Sequence, residues 1–132
     1  MCGIMGMILN KQRRNHEDLE LLRNRFSNLL VATQVRGTDA AGAFTLSGNG
    51  IRYYKEQGAA SSLVETPRYW GLMDTIGADT MAAIGHTRFA TTGCPSCNAN
   101  NHPILVDSII GVHNGVLFND DELREQYPYE QE

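Results

Sequence analysis

Cys2-Gly3-Ile4-Met5-Gly6-Met7-Ile8-Leu9 opens the chain directly behind Met1. The run is apolar, short and interrupted by Gly3 and Gly6, so it reads as a buried β-strand rather than a helix. No basic region precedes it, so it does not read as a secretory signal. Nor does any stretch reach the roughly 18 apolar residues of a membrane helix. A strand that begins on a cysteine at position 2 therefore sets the frame for everything downstream.

Around that strand the chain has the make-up of one modest domain: 132 residues, 42% hydrophobic, 20% charged, formal net charge −4. The negative balance argues against nucleic acid and against an anionic membrane surface as partners, since both need clustered positive potential. Three cysteines, Cys2, Cys94 and Cys97, are an odd count that makes no disulfide framework within one chain, so a reducing, cytoplasmic setting is expected.

Asn15 can cap a helix with Glu17 and Asp18 in its first turn, and Leu19, Leu22, Phe26, Leu29 and Leu30 follow at near-helical spacing as an inward face. Val35-Arg36-Gly37-Thr38-Asp39-Ala40-Ala41-Gly42 is too glycine-rich for a helix and reads as a shaped loop. Ala43 to Leu46 and Ile51 to Tyr54, separated by Ser47-Gly48-Asn49-Gly50, predict a hairpin. Residues 58 to 76 carry a weak helical signal. Met81 to Gly85 and Ile104 to Val112 read as buried strands, and Asn119 or Asp120 caps a last short helix that Pro128 would stop. Sheet pairings mixed with helices give an α+β class.

Several residues carry chemistry. Removal of Met1, which a small second residue favours, would leave Cys2 with a thiol and a free α-amine on one residue. An α-amine titrates near pH 8, close to working pH, so nucleophile and base would arrive together. A small core residue at a strand start is the simpler reading of Cys2 alone. Gly85-His86-Thr87-Arg88-Phe89-Ala90-Thr91-Thr92-Gly93 ends an apolar run in a polar, glycine-bounded turn. Arg88 there can form a bidentate pair with a carboxylate, either a ligand's or that of an internal acid. His113-Asn114-Gly115 follows Ile109 to Val112. A side-chain amide and the next glycine's N–H can form an oxyanion hole, although the same pattern also makes a plain hairpin turn. Cys94-Pro95-Ser96-Cys97 has metal-ligand spacing, but with no second such pair a thiol-bearing loop is the favoured reading, and no metal is expected. His16, His86, His102 and His113 are scattered along the chain and are expected to be structural.

In chain order, Cys2-Gly3-Ile4, Arg36-Gly37-Thr38-Asp39-Ala40-Ala41-Gly42, the Gly85–Gly93 segment, Asn101-His102-Pro103 and Val112-His113-Asn114-Gly115 resemble the glutaminase domain of class II glutamine amidotransferases. These are N-terminal-nucleophile hydrolases, and the glucosamine-6-phosphate synthase and amidophosphoribosyltransferase types are the most similar. The resemblance runs from the N-terminus to about Phe118. It implies an αββα sandwich of two sheets between helical layers. It also implies glutamine as substrate, no cofactor, and a synthase domain or separate subunit as nitrogen acceptor, with a homo-oligomer as a further option. Cys2 would be the nucleophile, and Asn114 and Gly115 the oxyanion donors. Arg88 would grip the α-carboxylate, Thr91 and Thr92 would line the site, Phe89 would cover it, and Arg36 would organise the nucleophile's loop. Two positions depart from the family's usual residues: Thr92 stands where His is common, and Phe89 where Trp or Tyr is frequent. Family members continue into an acidic segment that holds the substrate's α-amino group. Residues 1–132 are therefore expected to be a glutaminase domain shortened at its C-terminus, with no such role for Asp120, Asp121 or Glu130. A non-catalytic module that keeps the fold without the turnover is the alternative.

Overall fold

A computed structural model describes residues 1–127. Its frame is a four-stranded antiparallel sheet in the order β1-β4-β2-β3, made of β1 (Gly3–Ile8), β2 (Ala40–Ser47), β3 (Gly50–Gln57) and β4 (Thr80–Arg88). Helices α1 (His16–Thr33), α2 (Ala60–Leu63) and α3 (Pro67–Met73) complete the larger part. A two-stranded hairpin of β5 (Ile104–Val106) and β6 (Ile109–Gly111) and a final helix α4 (Asp120–Gln126) follow. The class is α+β, as the sequence predicts. No helix among the described residues is long and apolar enough to cross a membrane.

Local chemistry accounts for the boundaries. Asn15 Oδ1 accepts the Asp18 N–H at 2.8 Å while Asp18 Oδ2 accepts the Asn15 N–H at 3.3 Å, so both halves of a capping box start α1. Thr66 caps α3 through the Tyr69 N–H at 3.2 Å, with Pro67 as its first residue. The β2–β3 hairpin turns on Gly48-Asn49, and Gly50 sits at φ +106, a conformation that suits glycine.

Alternation assigns the two faces of the sheet. Ala41, Ala43 and Ala83 meet Phe26 and Leu30 of α1, Leu63 of α2, and Tyr69, Leu72 and Met73 of α3 in one buried cluster. Each large side chain there contributes about 1.5–3 kcal/mol by leaving water. The one polar contact inside it is satisfied, Tyr69 Oη lying 2.8 Å from Ser27 Oγ. The opposite face carries Ile4, Ile8, His86 and Arg88. Its outer part is open, with Ile4 and Ile8 exposed, and its other end is covered by residues 92–118.

Several expectations need correction. β1 lies at the sheet edge, with only Gly3 buried and Met5 and Met7 half-buried, because helices cover just one of its faces. Ala40-Ala41-Gly42 belongs to β2 rather than to a loop; pairing with β3 and β4 on both sides overrides the glycine signal. His86, Thr87 and Arg88 are buried strand residues of β4, not a turn. Ile104 to Val112 is not one buried strand but a hairpin, broken at Asp107-Ser108 where Asp107 adopts φ 51. Leu29 is exposed, on the flank of α1 rather than its inward face. The helix stop assigned to Pro128 lies outside the described residues.

Candidate active site

The register of the sheet determines where Cys2 goes. Gly3 pairs with Thr87, so the residue before it falls beside the end of β4. There the Phe89 N–H donates to Cys2 Sγ at 3.3 Å, and the thiol faces the Phe89 carbonyl at 3.5 Å. Gly37 permits the segment after α1 to close in, since a Cβ on it would collide with the backbone of Arg88 and Phe89. The Asp39 N–H bonds to the Arg88 carbonyl at 3.0 Å and Asp39 Oδ2 accepts the Ala90 N–H at 2.7 Å, tying the Arg36–Asp39 loop to the same place.

A cleft of about 530 Å³ opens there. Cys2, Arg88, Phe89, Thr91, Thr92 and Gly115 line it, together with Asn100, His102, His113 and the apolar Ile104, Val106, Val116 and Leu117. Asp120 and Arg124 of α4 form part of its wall. Asn114 reaches the same place from the far side, its Nδ2 donating to the Cys2 carbonyl at 2.9 Å. Gly115 follows at φ +150, a conformation L side chains rarely adopt. Arg36 stands apart from the cleft and directs its guanidinium to Met1 Sδ at 3.8 Å. The structure thus gathers Cys2, Asn114, Gly115, Arg88, Phe89, Thr91 and Thr92, and leaves Arg36 next to Met1.

Arg88 is only 5% exposed. Its Nη1 donates to Asn101 Oδ1 at 2.7 Å, and its Nη2 to the carbonyls of Thr92 and of Gly93, the latter at 2.8 Å. These are the guanidinium's hydrogen bonds among the described residues. No ion pair within those residues involves Arg88, so it is not neutralised by an internal acid. Asn101 is what holds it: fully buried, it also donates to the Pro95 carbonyl at 2.8 Å and to Asn98 Oδ1 at 3.1 Å. The buried Lys55 ammonium fixes the same segment from below, bonding the carbonyls of Asn101 at 2.9 Å and Pro103 at 2.8 Å. Sequence reasoning counted Asn101 only as a member of the Asn101-His102-Pro103 motif and passed over Lys55, because a Lys in a strand signals nothing without the segment that packs on it.

The histidines also converge. The His86 and His102 rings stack with centroids 4.3 Å apart, and His86 Nε2 lies 3.3 Å from the His113 carbonyl, the peptide that precedes Asn114. Burial pushes the His86 imidazole down to about 4, against the pull of its bond to the His113 carbonyl. Burial, then the neighbouring His86 and Arg88, pushes His102 down to about 4. Both rings are neutral at physiological pH, so His86 donates Nε2–H to the carbonyl and braces the Asn114 turn. Among the described residues no three His, Cys, Asp or Glu side chains form a metal-ligating group.

No family model matches the chain. Curated proteins do match it, at 31–36% identity along essentially its whole length. These relatives are class II glutamine amidotransferases with an N-terminal glutaminase domain, and it is to them that the chain is similar. Its relatives include glutamine–fructose-6-phosphate aminotransferase (isomerizing) of Oceanobacillus iheyensis, 36% identical across 96% of this chain and 19% of the relative. Amidophosphoribosyltransferase of Methanocaldococcus jannaschii is 35% identical over 96% of this chain and 25% of its own length. The glutamine–fructose-6-phosphate aminotransferase of Bradyrhizobium diazoefficiens is 33% identical over 96% and 18% respectively. The chain therefore spans 18–25% of the length of these proteins.

Proposed function

We propose that this chain hydrolyses the side-chain amide of glutamine, with Cys2 as nucleophile once Met1 has been removed. The observation that carries the reading is Arg88. A buried guanidinium without a counter-ion costs several kcal/mol, and a substrate carboxylate entering the cleft beside Cys2 removes that cost. The relatives' membership of a glutamine-using class makes glutamine's α-carboxylate the ligand of choice.

Met1 is 82% exposed and so open to an aminopeptidase. Its loss turns the Cys2 nitrogen from a peptide N–H into an amine that can accept the thiol proton. The thiolate then adds to the amide carbon, and the developing oxyanion is received by Asn114 Nδ2–H and the Gly115 N–H. One such donor lowers the barrier by about 2.7–4 kcal/mol. As the C–N bond breaks, the α-ammonium returns its proton to the leaving ammonia. Water then cleaves the thioester, releasing glutamate and restoring the thiol. Thr91 and Thr92 line the bound chain, Phe89 covers it, and Arg36 positions the N-terminal residue. The liberated nitrogen passes to an acceptor site on a synthase domain or separate subunit, in a cytoplasmic enzyme.

The same reading makes residues 1–132 a glutaminase domain and its fold an N-terminal-nucleophile sandwich. Helices cover one face of the sheet, while the other holds the cleft and the exposed Ile4 and Ile8. The test is ammonia release from glutamine, after mass spectrometry has confirmed loss of Met1. Processed protein turns over, whereas Cys2→Ala and protein retaining Met1 are inactive but folded. Turnover by either inactive form would overturn the mechanism, and none by the processed protein would leave a non-catalytic module.

A further inference from the structure

The Cys94-Pro95-Ser96-Cys97 loop is absorbed neither by the hydrolytic mechanism nor by the core, yet its geometry is specific. The Cys97 N–H donates to the Cys94 carbonyl at 3.1 Å, which closes a β-turn with Pro95 and Ser96 at its centre. A β-turn holds its first and last Cα atoms within about 7 Å, and disulfides span about 4.4–6.8 Å between Cα atoms. Both thiols are free and exposed, in contrast to the half-buried Cys2. The turn is also anchored: Asn100 Nδ2 bonds the Cys94 carbonyl at 3.3 Å, and Asn101 Nδ2 the Pro95 carbonyl. We propose that Cys94 and Cys97 are a redox-modification site, a turn-borne dithiol that closes reversibly to a disulfide directly after Thr92, a residue that lines the Cys2 cleft.

The two sulfurs have distinct parts. Cys94 Sγ lies 2.9 Å from Ser96 Oγ, and that hydroxyl's hydrogen bond holds the Cys94 thiol below its usual range. Cys94 is therefore the entry thiol and Cys97 the resolving one. With a low-molecular-weight disulfide such as oxidised glutathione as oxidant, the Cys94 thiolate attacks one of its sulfurs. The S–S bond of glutathione breaks, one glutathione thiol leaves, and a mixed disulfide remains on Cys94. The Cys97 thiolate then attacks the Cys94 sulfur and expels the second glutathione thiol, so that two protein thiols are oxidised as one disulfide is reduced. Closure ties off a turn that follows directly on Thr92 and Gly93, whose carbonyls hold Arg88. The site is thus joined to Arg88 through the two residues that precede it.

The test does not depend on glutamine turnover, so its failure is separate from failure of the proposed activity. The intact protein is equilibrated with reduced and oxidised glutathione, remaining thiols are capped with a maleimide, and tryptic peptides are weighed. The expected result is a Phe89–Arg124 peptide lighter by one pair of hydrogen atoms, with Cys94 and Cys97 protected together and Cys2 still capped. Reduction reverses the change. Cys97→Ser accumulates a glutathione adduct on Cys94, and Ser96→Ala slows adduct formation several-fold. Independent capping of the two cysteines under oxidising conditions would overturn the proposal. So would a stable glutathione adduct on Cys94 in the unaltered protein, or a disulfide that includes Cys2.

Discussion

The two faces of β4 are built from different chemistry, although the strand supplies both from alternate residues. Ala83, Gly85 and Thr87 point to the helices: Ala83 joins the apolar cluster, and Thr87 Oγ1 donates to the Thr33 carbonyl at 3.0 Å. Gly85 leaves room for Leu30 and Phe26. His86 and Arg88 point the other way, into a region that buries Lys55 and Asn101 as well and holds these polar groups by specific hydrogen bonds. The helix face holds the fold by area removed from water, which many apolar residues could supply. The cleft face spends stability on groups that only specific partners can satisfy, such as Arg88 by Asn101 and Lys55 by two carbonyls. Period-two alternation thus separates what stabilises this molecule from what would let it act.

That separation can be broken or sharpened by substitution. Phe26→Ala empties a fully buried site on the helix face and is expected to cost about 3–5 kcal/mol, read as a lower denaturant midpoint. The fraction that remains folded should hydrolyse glutamine at the unaltered specific rate; a lower rate would show that the two faces are coupled. Asn114→Ala is the converse case. Its kcat should fall roughly 100- to 1,000-fold with the denaturant midpoint unchanged.

Acid probes the cleft face next. His86 and His102 are held at about 4 in the fold against 6.5 in the free side chain, with Arg88, His113 and Lys55 as the basic side chains that face them. Between those values the unfolded chain binds more protons than the native one. Stability is therefore intact above about pH 6.5 and falls as the pH drops toward 4, by up to roughly 3 kcal/mol per ring. Urea titrations at stepped pH should show that slope, and His102→Gln should flatten it. The smallest effect belongs to the α1 cap: Asn15→Ala should lower stability by about 1 kcal/mol and leave glutamine turnover untouched.

Sequence made the local devices legible. The capping box at Asn15, the Gly48-Asn49 turn and the helical spacing of Phe26 and Leu30 each depend on residues a few positions apart, and each is present. The gathering of Cys2, Arg88 and Asn114 was also readable, through the order of five short motifs rather than through any one of them. What escaped was burial on the cleft face. His86, Arg88 and Lys55 look like exposed polar residues until residues 92–118 fold across them, and that covering is non-local. The split of Ile104 to Val112 escaped for a related reason: an Asp-Ser pair inside an apolar run becomes a turn only because Asp107 takes a positive φ.

The central claim is that a glutamine carboxylate at Arg88 presents the side-chain amide to the Cys2 thiol. An electrophilic glutamine analogue tests it most directly, applied to the Met1-processed protein and read by peptide mass. The account predicts a single adduct on Cys2, prevented by excess glutamine and lost in Arg88→Met while Cys94 and Cys97 stay unmodified. Labelling that ignores glutamine, or that falls on the exposed Cys94 and Cys97 in preference to Cys2, would contradict it.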